Sequence, residues 1–192
     1  RGSVPVAIYG HGLSVLKETD IVVSLINAME GVATVSIDQP NHGSRISRDG
    51  GYAITRLGVD NVPLQVGMTG QSPIDFIALL KAVKTSIGTI DVMPKKLFSP
   101  LAGAVQPGRN GDGIPDLDVN NVFYESTSLG GVLGATFVAL APDLKGAFLQ
   151  VPGVGITSIL SGSELWDLRY NQLEPPSVDG AEALLLKAVM QH

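Results

Sequence analysis

The sequence predicts an α/β fold of three layers, with helices on both faces of a mostly parallel sheet, and three observations carry that prediction. The first 37 residues read strand, helix, strand. A later apolar run, Val119 to Tyr124, meets a turn of small residues and then a helix-like segment. The composition, 44% apolar and 16% charged over 192 residues, is that of one well-buried domain and excludes a disordered chain.

Val4 to Tyr9 is a short apolar run ending in Gly10-His11-Gly12, as expected of a buried parallel strand with a loop at its C-terminal end. Lys17 to Glu30 then places Ile21, Val22, Leu25, Ile26 and Met29 on one face of a helix, with Gly31 as its C-terminal cap. Ala33 to Ile37 is the next strand, with Asp38 at its end. A strand–helix–strand unit this short implies parallel strands and a right-handed crossover.

Residues 41–71 lack clear periodicity and read as a long insertion. Ser72-Pro73-Ile74-Asp75 carries the signals of a helix start: a capping serine, a first-turn proline and an acid near the positive helix end. That helix is expected to run to about Ile87. A second irregular insertion covers 88–118 and holds Pro94, Pro100, Pro107 and Pro115. After the strand at Val119 come a helix over Leu129 to Leu140, stopped by Pro142, and a strand over Gly146 to Val151. Ile156 to Leu160 and Ala181 to Met190 read as helical. Residues 1–192 are one domain on this reading.

Several classes of partner are excluded or disfavoured. A net charge of −5 without like-charge runs argues against nucleic acid. No apolar stretch approaches the roughly 20 residues that span a bilayer. Cysteine is absent, so disulfides, thiol nucleophiles and thiolate metal sites are ruled out.

The chemistry centres on Val122-Phe-Tyr-Glu-Ser126-Thr-Ser128-Leu-Gly130-Gly131. It predicts a strand turning sharply into a helix with Ser128 at the apex, the arrangement known as a nucleophile elbow. Gly130 keeps the last glycine of Gly-x-Ser-x-Gly, and Ser126 replaces the first with another small residue. A serine nucleophile needs donors for the tetrahedral oxyanion. The N–H of Leu129 is one, and Gly12 or Leu13, in the loop after the first strand, would offer the second. The alternative for Ser128 is an ordinary turn serine.

Three segments, Ile8-Tyr-Gly-His-Gly12, Ile37-Asp38-Gln-Pro40-Asn-His42-Gly43-Ser-Arg45 and Ser126-Thr-Ser128-Leu-Gly-Gly131, together resemble the α/β-hydrolase superfamily, its esterases and lipases in particular. The segment Gly111 to Asp118 is similar to large bacterial extracellular lipases of the Pla-1/cef type. The resemblance spans roughly residues 4–151. It implies a carboxylic ester hydrolase of α/β-hydrolase fold, an acyl ester or lipid substrate, no cofactor, and a secreted or envelope location.

It also implies a catalytic order Ser, acid, His, and here the chain departs from the pattern. His11 and His42 occupy positions where a structural role is expected. The 64 positions from Ser128 to His192 are too few for the remaining strands, and Asp143, Asp167 and Asp179 follow no second strand after the elbow. The expectation is a domain truncated before its acid and base, with an exposed sheet edge through which copies could associate. A non-catalytic binding or assembly domain is the alternative, and a flavodoxin-like or Rossmann-like domain lacks its Gly-x-Gly-x-x-Gly after the first strand.

Asn110, Asp112 and Asp116 resemble part of a calcium loop, but Gly108 and Val119 stand where end carboxylates belong, so a polar turn is the favoured reading. Met68, Phe76 and Leu79 have helical spacing and are expected in the core rather than in an acyl pocket. Glu164 to Pro176, with Trp166 and Tyr170, is either a cap over the site or a linker.

Overall fold

The computed structural model describes residues 2–46, 62–92 and 111–153, with 62–66 given by backbone alone. Strands β1 (Val4–Gly10), β2 (Ala33–Ser36), β3 (Leu117–Thr127) and β4 (Gly146–Gln150) pair in the order β2-β1-β3-β4. Every pairing is parallel. Helix α1 (Ile21–Met29) lies between β1 and β2 in sequence, α2 (Val62–Lys84) between β2 and β3, and α3 (Leu129–Leu140) between β3 and β4. From β1 the chain steps one way to β2, then crosses back over β1 to reach β3. Right-handed crossovers in opposite directions put α1 on one face and α2 with α3 on the other. The result is the three-layer α/β/α arrangement predicted.

The core sits on the α2/α3 side. Alternation along the strands turns Val6 and Ile8 of β1, and Val122 and Tyr124 of β3, toward Phe76, Leu79, Leu80 and Val83 of α2 and Phe137 of α3. Tyr124 meets Phe76 and Phe137 edge-on, with ring centroids 5.3 and 5.1 Å away. Its hydroxyl donates to the Gly130 carbonyl at 2.8 Å. Burial pushes the phenol far above its ordinary range, so it remains a donor. Met68, Phe76 and Leu79 are buried, as their spacing predicts.

The α1 layer is thinner. Asn27 donates to Thr34 Oγ1 at 2.9 Å and to the Glu125 carboxylate, tying the helix to the sheet. The apolar stripe seen in the sequence, Ile21, Val22, Leu25, Ile26 and Met29, is exposed. Its periodicity predicts the helix correctly, but the stripe does not pack against the sheet. Lys17–Asp20 forms a 3-10 turn ahead of α1, and Gly31, at φ +76°, ends the helix as predicted.

Two elements depart from the sequence reading. Helix α2 begins at Val62, so Ser72 and Pro73 lie inside it rather than at its start. Proline in a helix interior forgoes a hydrogen bond and costs about 3 kcal/mol. Both residues are buried, so tertiary packing overrides the local start signal. Strand β3 is also longer than predicted, running from Leu117 to Thr127. The expectations for Asn110, Trp166, Asp167, Tyr170, Asp179, His192 and the segments 156–160, 164–176 and 181–190 fall outside the described residues. Among the described residues no helix is long and apolar enough to cross a membrane.

Candidate active site

Strand order reverses between β1 and β3, and in open parallel sheets the crevice at such a switch point, beyond the carboxyl ends of the strands, is where ligands bind. Ser128 stands at that crevice, between Thr127, the last residue of β3, and Leu129, the first of α3. Its backbone is at φ 55°, ψ −118°, a region that costs a non-glycine residue of order 1–3 kcal/mol. The corner is held from several sides. Ser128 N–H donates to the Gln150 carbonyl at 3.0 Å, and Gly131 and Val132 donate to the Ser128 carbonyl at 2.8 and 3.1 Å. The side chain makes no capping bond, and the residue is exposed.

Small residues allow the corner to form. A Cβ on Gly130 would drive into the Gly10 carbonyl, and one on Gly10 would drive into the Tyr124 hydroxyl. Ser126, which replaces the first glycine of the elbow pattern, is 2% exposed and fits within this packing. A Cβ on Gly12 would lie 3.5 Å from Ser128 Cβ, so the loop after β1 passes directly beside the serine. Leu129 is the first residue of α3, and the leading N–H groups of a helix have no partner within it. Gly12 and Leu129 thus both lie beside Ser128, one across the loop after β1 and one next in the chain. Positive φ gathers on the same edge: among the described residues the non-glycine cases, Ser14, Asn41, Ser128 and Val151, each follow the end of a strand.

Beneath this edge the loops after β1 and β2 are fused. The Asp38 carboxylate accepts from Lys17 N–H at 2.8 Å and Lys17 Nζ at 2.9 Å, and from Ser44 N–H at 2.9 Å and Ser44 Oγ at 2.8 Å. Burial alone would raise the Asp38 pKa; these four donors outweigh it and hold the carboxyl well below its usual range. Gln39 N–H donates to His11 Nε2 at 3.0 Å, which leaves the ring proton on Nδ1, donated to the Gly12 carbonyl at 2.8 Å. Gln39 Nε2 donates to the His11 carbonyl at 2.6 Å, and Ser72 Oγ donates to Gln39 Oε1 at 3.0 Å. His42 Nδ1 donates to the Pro40 carbonyl at 2.9 Å, with its ring 5.0 Å from that of His11.

Both imidazoles are thus buried; His11 bonds backbone through both ring nitrogens, whereas His42 does so through Nδ1 alone and its buried Nε2 has no hydrogen-bond partner among the described residues. Neither is paired with a carboxylate next to Ser128 among the described residues. Asp143 is exposed and lies 3.9 Å from Lys84. Gln39 and Ser72 were not recognised from sequence: Ser72 carried a helix-start signal, and nothing local marks Gln39 as a bridge.

Burial lowers the pKa of both His11 and His42, favouring the neutral rings in the folded protein. As pH falls through about 6.5, unfolded chains take up protons that the folded protein refuses, and stability declines. Asp38 adds a further loss below its unfolded value of 3.8. Glu125, raised by burial against the opposing Asn27 bond, pulls weakly the other way. Melting temperature is therefore expected to be level near neutrality and to fall as pH drops below about 6.5. A flat profile across that window would contradict the neutral-histidine assignment.

In the second irregular stretch, Asp91 accepts from Asp112 and Gly113 N–H at 3.0 and 2.8 Å, Asp112 accepts from Ile114 N–H at 3.0 Å, and Asp116 accepts from Val92 N–H at 2.7 Å. These carboxylates close a turn on backbone donors. Among the described residues no three metal-ligating side chains converge.

The domain is a parallel sheet with helices on both faces and a serine at a strained strand–helix corner at the point where strand order reverses. Among solved structures, the chain is similar to acetyl xylan esterase 1 from Thermoanaerobacterium sp. JW/SL YS485, with a TM-score of 0.59 and 17% identity over all of this chain and 55% of that one. At that identity the likeness is one of fold, which is of α/β-hydrolase type. This chain spans about half the length of that esterase. No protein-family model matches the sequence, and no curated protein matches it. The narrower likeness of Gly111 to Asp118 to a bacterial lipase group gains no support from these comparisons.

Proposed function

We propose that Ser128 is the nucleophile of a carboxylic ester hydrolase and that the acid and base completing its machinery lie outside the described residues. The observation that carries this reading is the exposed Ser128, held at φ 55° beside Gly12 over the switch point. Strain of this kind persists only where the surroundings over-determine it, and it concentrates at functional sites. Ser128 Oγ attacks the ester carbonyl carbon as the base removes its proton. The N–H groups of Leu129 and of Gly12 or Leu13 stabilise the oxyanion, assisted by the positive end of α3. The C–O bond to the alcohol breaks, the alcohol leaves with the proton, and water then cleaves the acyl-serine. Acyl esters of carbohydrates, in line with the name of the structural neighbour, and lipid esters as in lipases are the substrate classes to test.

A fluorophosphonate probe applied to the full-length protein carrying these residues tests the reading. Covalent labelling mapped to Ser128 by mass spectrometry is expected. Labelling at another serine, or none, sinks it. The buried, backbone-bonded state of His11 and His42 favours a second reading, a binding or assembly domain on the hydrolase fold, which that negative result would support.

A further inference from the structure

We propose that Gln39 and Ser72 are positioning residues that aim the main-chain donors beside Ser128, an inference that rests on the reading of Ser128 as nucleophile. A trans peptide is planar, and its C=O and N–H point in opposite directions. Whatever grips one residue's carbonyl therefore aims the next residue's N–H.

The His11 carbonyl accepts Gln39 Nε2–H at 2.6 Å, which fixes the His11–Gly12 plane and with it the direction of Gly12 N–H. The Gly12 carbonyl accepts the His11 Nδ1 proton at 2.8 Å, which fixes the next plane and aims Leu13 N–H. Both grips lead back to Gln39. Its side chain makes the first, and its main-chain N–H on His11 Nε2, at 3.0 Å, selects the tautomer that makes the second.

A primary amide could turn over and present oxygen to the His11 carbonyl. The His11 carbonyl only accepts, so it holds the NH₂ toward itself, and Ser72 braces the amide from its other side by donating to Gln39 Oε1 at 3.0 Å. Ser72, Gln39 and His11 are 0, 1 and 0% exposed, so water does not compete for these bonds. The chain of bonds runs from the interior of α2, through the loop after β2, to the loop after β1. It gives Ser72 a reason to lie mid-helix next to Pro73, and it makes the oxyanion donors a built feature rather than a loose loop.

The test compares Gln39→Leu and Ser72→Ala with wild type in the full-length protein, using glycine- and leucine-selective ¹⁵N spectra together with fluorophosphonate kinetics. Gln39→Leu is expected to shift the Gly12 and Leu13 amide signals. It should also slow acylation at saturating probe by roughly 100-fold while leaving the half-saturating probe concentration unchanged. Ser72→Ala is expected to move the same signals and slow acylation by roughly 10-fold; being the milder change, it answers the question should Gln39→Leu fail to fold. Gly12 and Leu13 signals that superimpose on wild type overturn the proposal, as does an unchanged acylation rate in a folded variant. If wild type itself does not label, the reading of Ser128 fails, and the amide signals alone decide whether Gln39 aims the loop.

Discussion

Ser128→Ala is expected to reduce ester hydrolysis by the full-length protein by on the order of 10⁴-fold or more, to the level left by binding and oxyanion donors alone. The folded state should scarcely notice, because the side chain is exposed and makes no capping bond. Alanine keeps a Cβ, so the strain at φ 55° remains as it was. Ser128→Gly separates the two properties. Glycine adopts positive φ without steric cost, so this variant should be equally inactive yet more stable than Ser128→Ala, by about 1 kcal/mol once the extra chain entropy of glycine is deducted. Such a result would show stability given up to present a hydroxyl at a corner. Turnover that survives Ser128→Ala would place the nucleophile elsewhere, and a Ser128→Gly variant less stable than Ser128→Ala would mean the corner carries no strain.

What the sequence made legible follows from how local each signal is. The boundaries of α3 and the position of β4 were read almost to the residue, because Ser128, Gly130 and Pro142 punctuate the chain where the physics requires it. The corner was legible for the same reason: a strand, small residues and a helix in immediate succession leave few other geometries. The start of α2 was not. Ser72-Pro73 is a strong local start signal, and only the burial of both residues in the fold shows why the helix runs through it. The α1 stripe gave the right helix and the wrong neighbour, since periodicity reports which residues share a face and not what that face meets.

At the site, the members of the elbow and of the glycine loop could be named from sequence. The bonds that hold them in place could not. The Gln39–His11 contacts join residues 28 positions apart, and Ser72 reaches Gln39 across 33. Asp38 stood within a quoted segment, yet its four donors come from Lys17 and Ser44 on two different loops. Motifs of this kind record the residues that form the corner itself. The scaffold that aims them is distributed, and each of its members looks ordinary where it stands.

Gly130→Ala is expected to be the most damaging single-methyl change in the described residues, lowering stability by about 3 kcal/mol or more, at or beyond the upper end for overpacking. The added Cβ would meet the Gly10 carbonyl oxygen and carbon and the His11 carbonyl oxygen, all of them backbone, so no side-chain rotation relieves it. Relief needs α3 and the β1 loop to move apart. That movement also carries Leu129 N–H away from Gly12, so probe labelling at Ser128 should fall in whatever fraction remains folded. Against a typical total of 5–15 kcal/mol, such a loss is a large share of what holds the domain together. Gly67→Ala and Gly70→Ala provide the contrast. Both positions are exposed within α2 with no atom within 4 Å of the new methyl, and each should gain about 0.5–1 kcal/mol from helix propensity. Identical chemistry thus has opposite sign at sites differing only in what faces the missing Cβ. Chemical denaturation of the three variants measures it directly, and a Gly130→Ala midpoint equal to wild type would mean that the helix and the loop do not make the close approach on which the geometry of the corner depends.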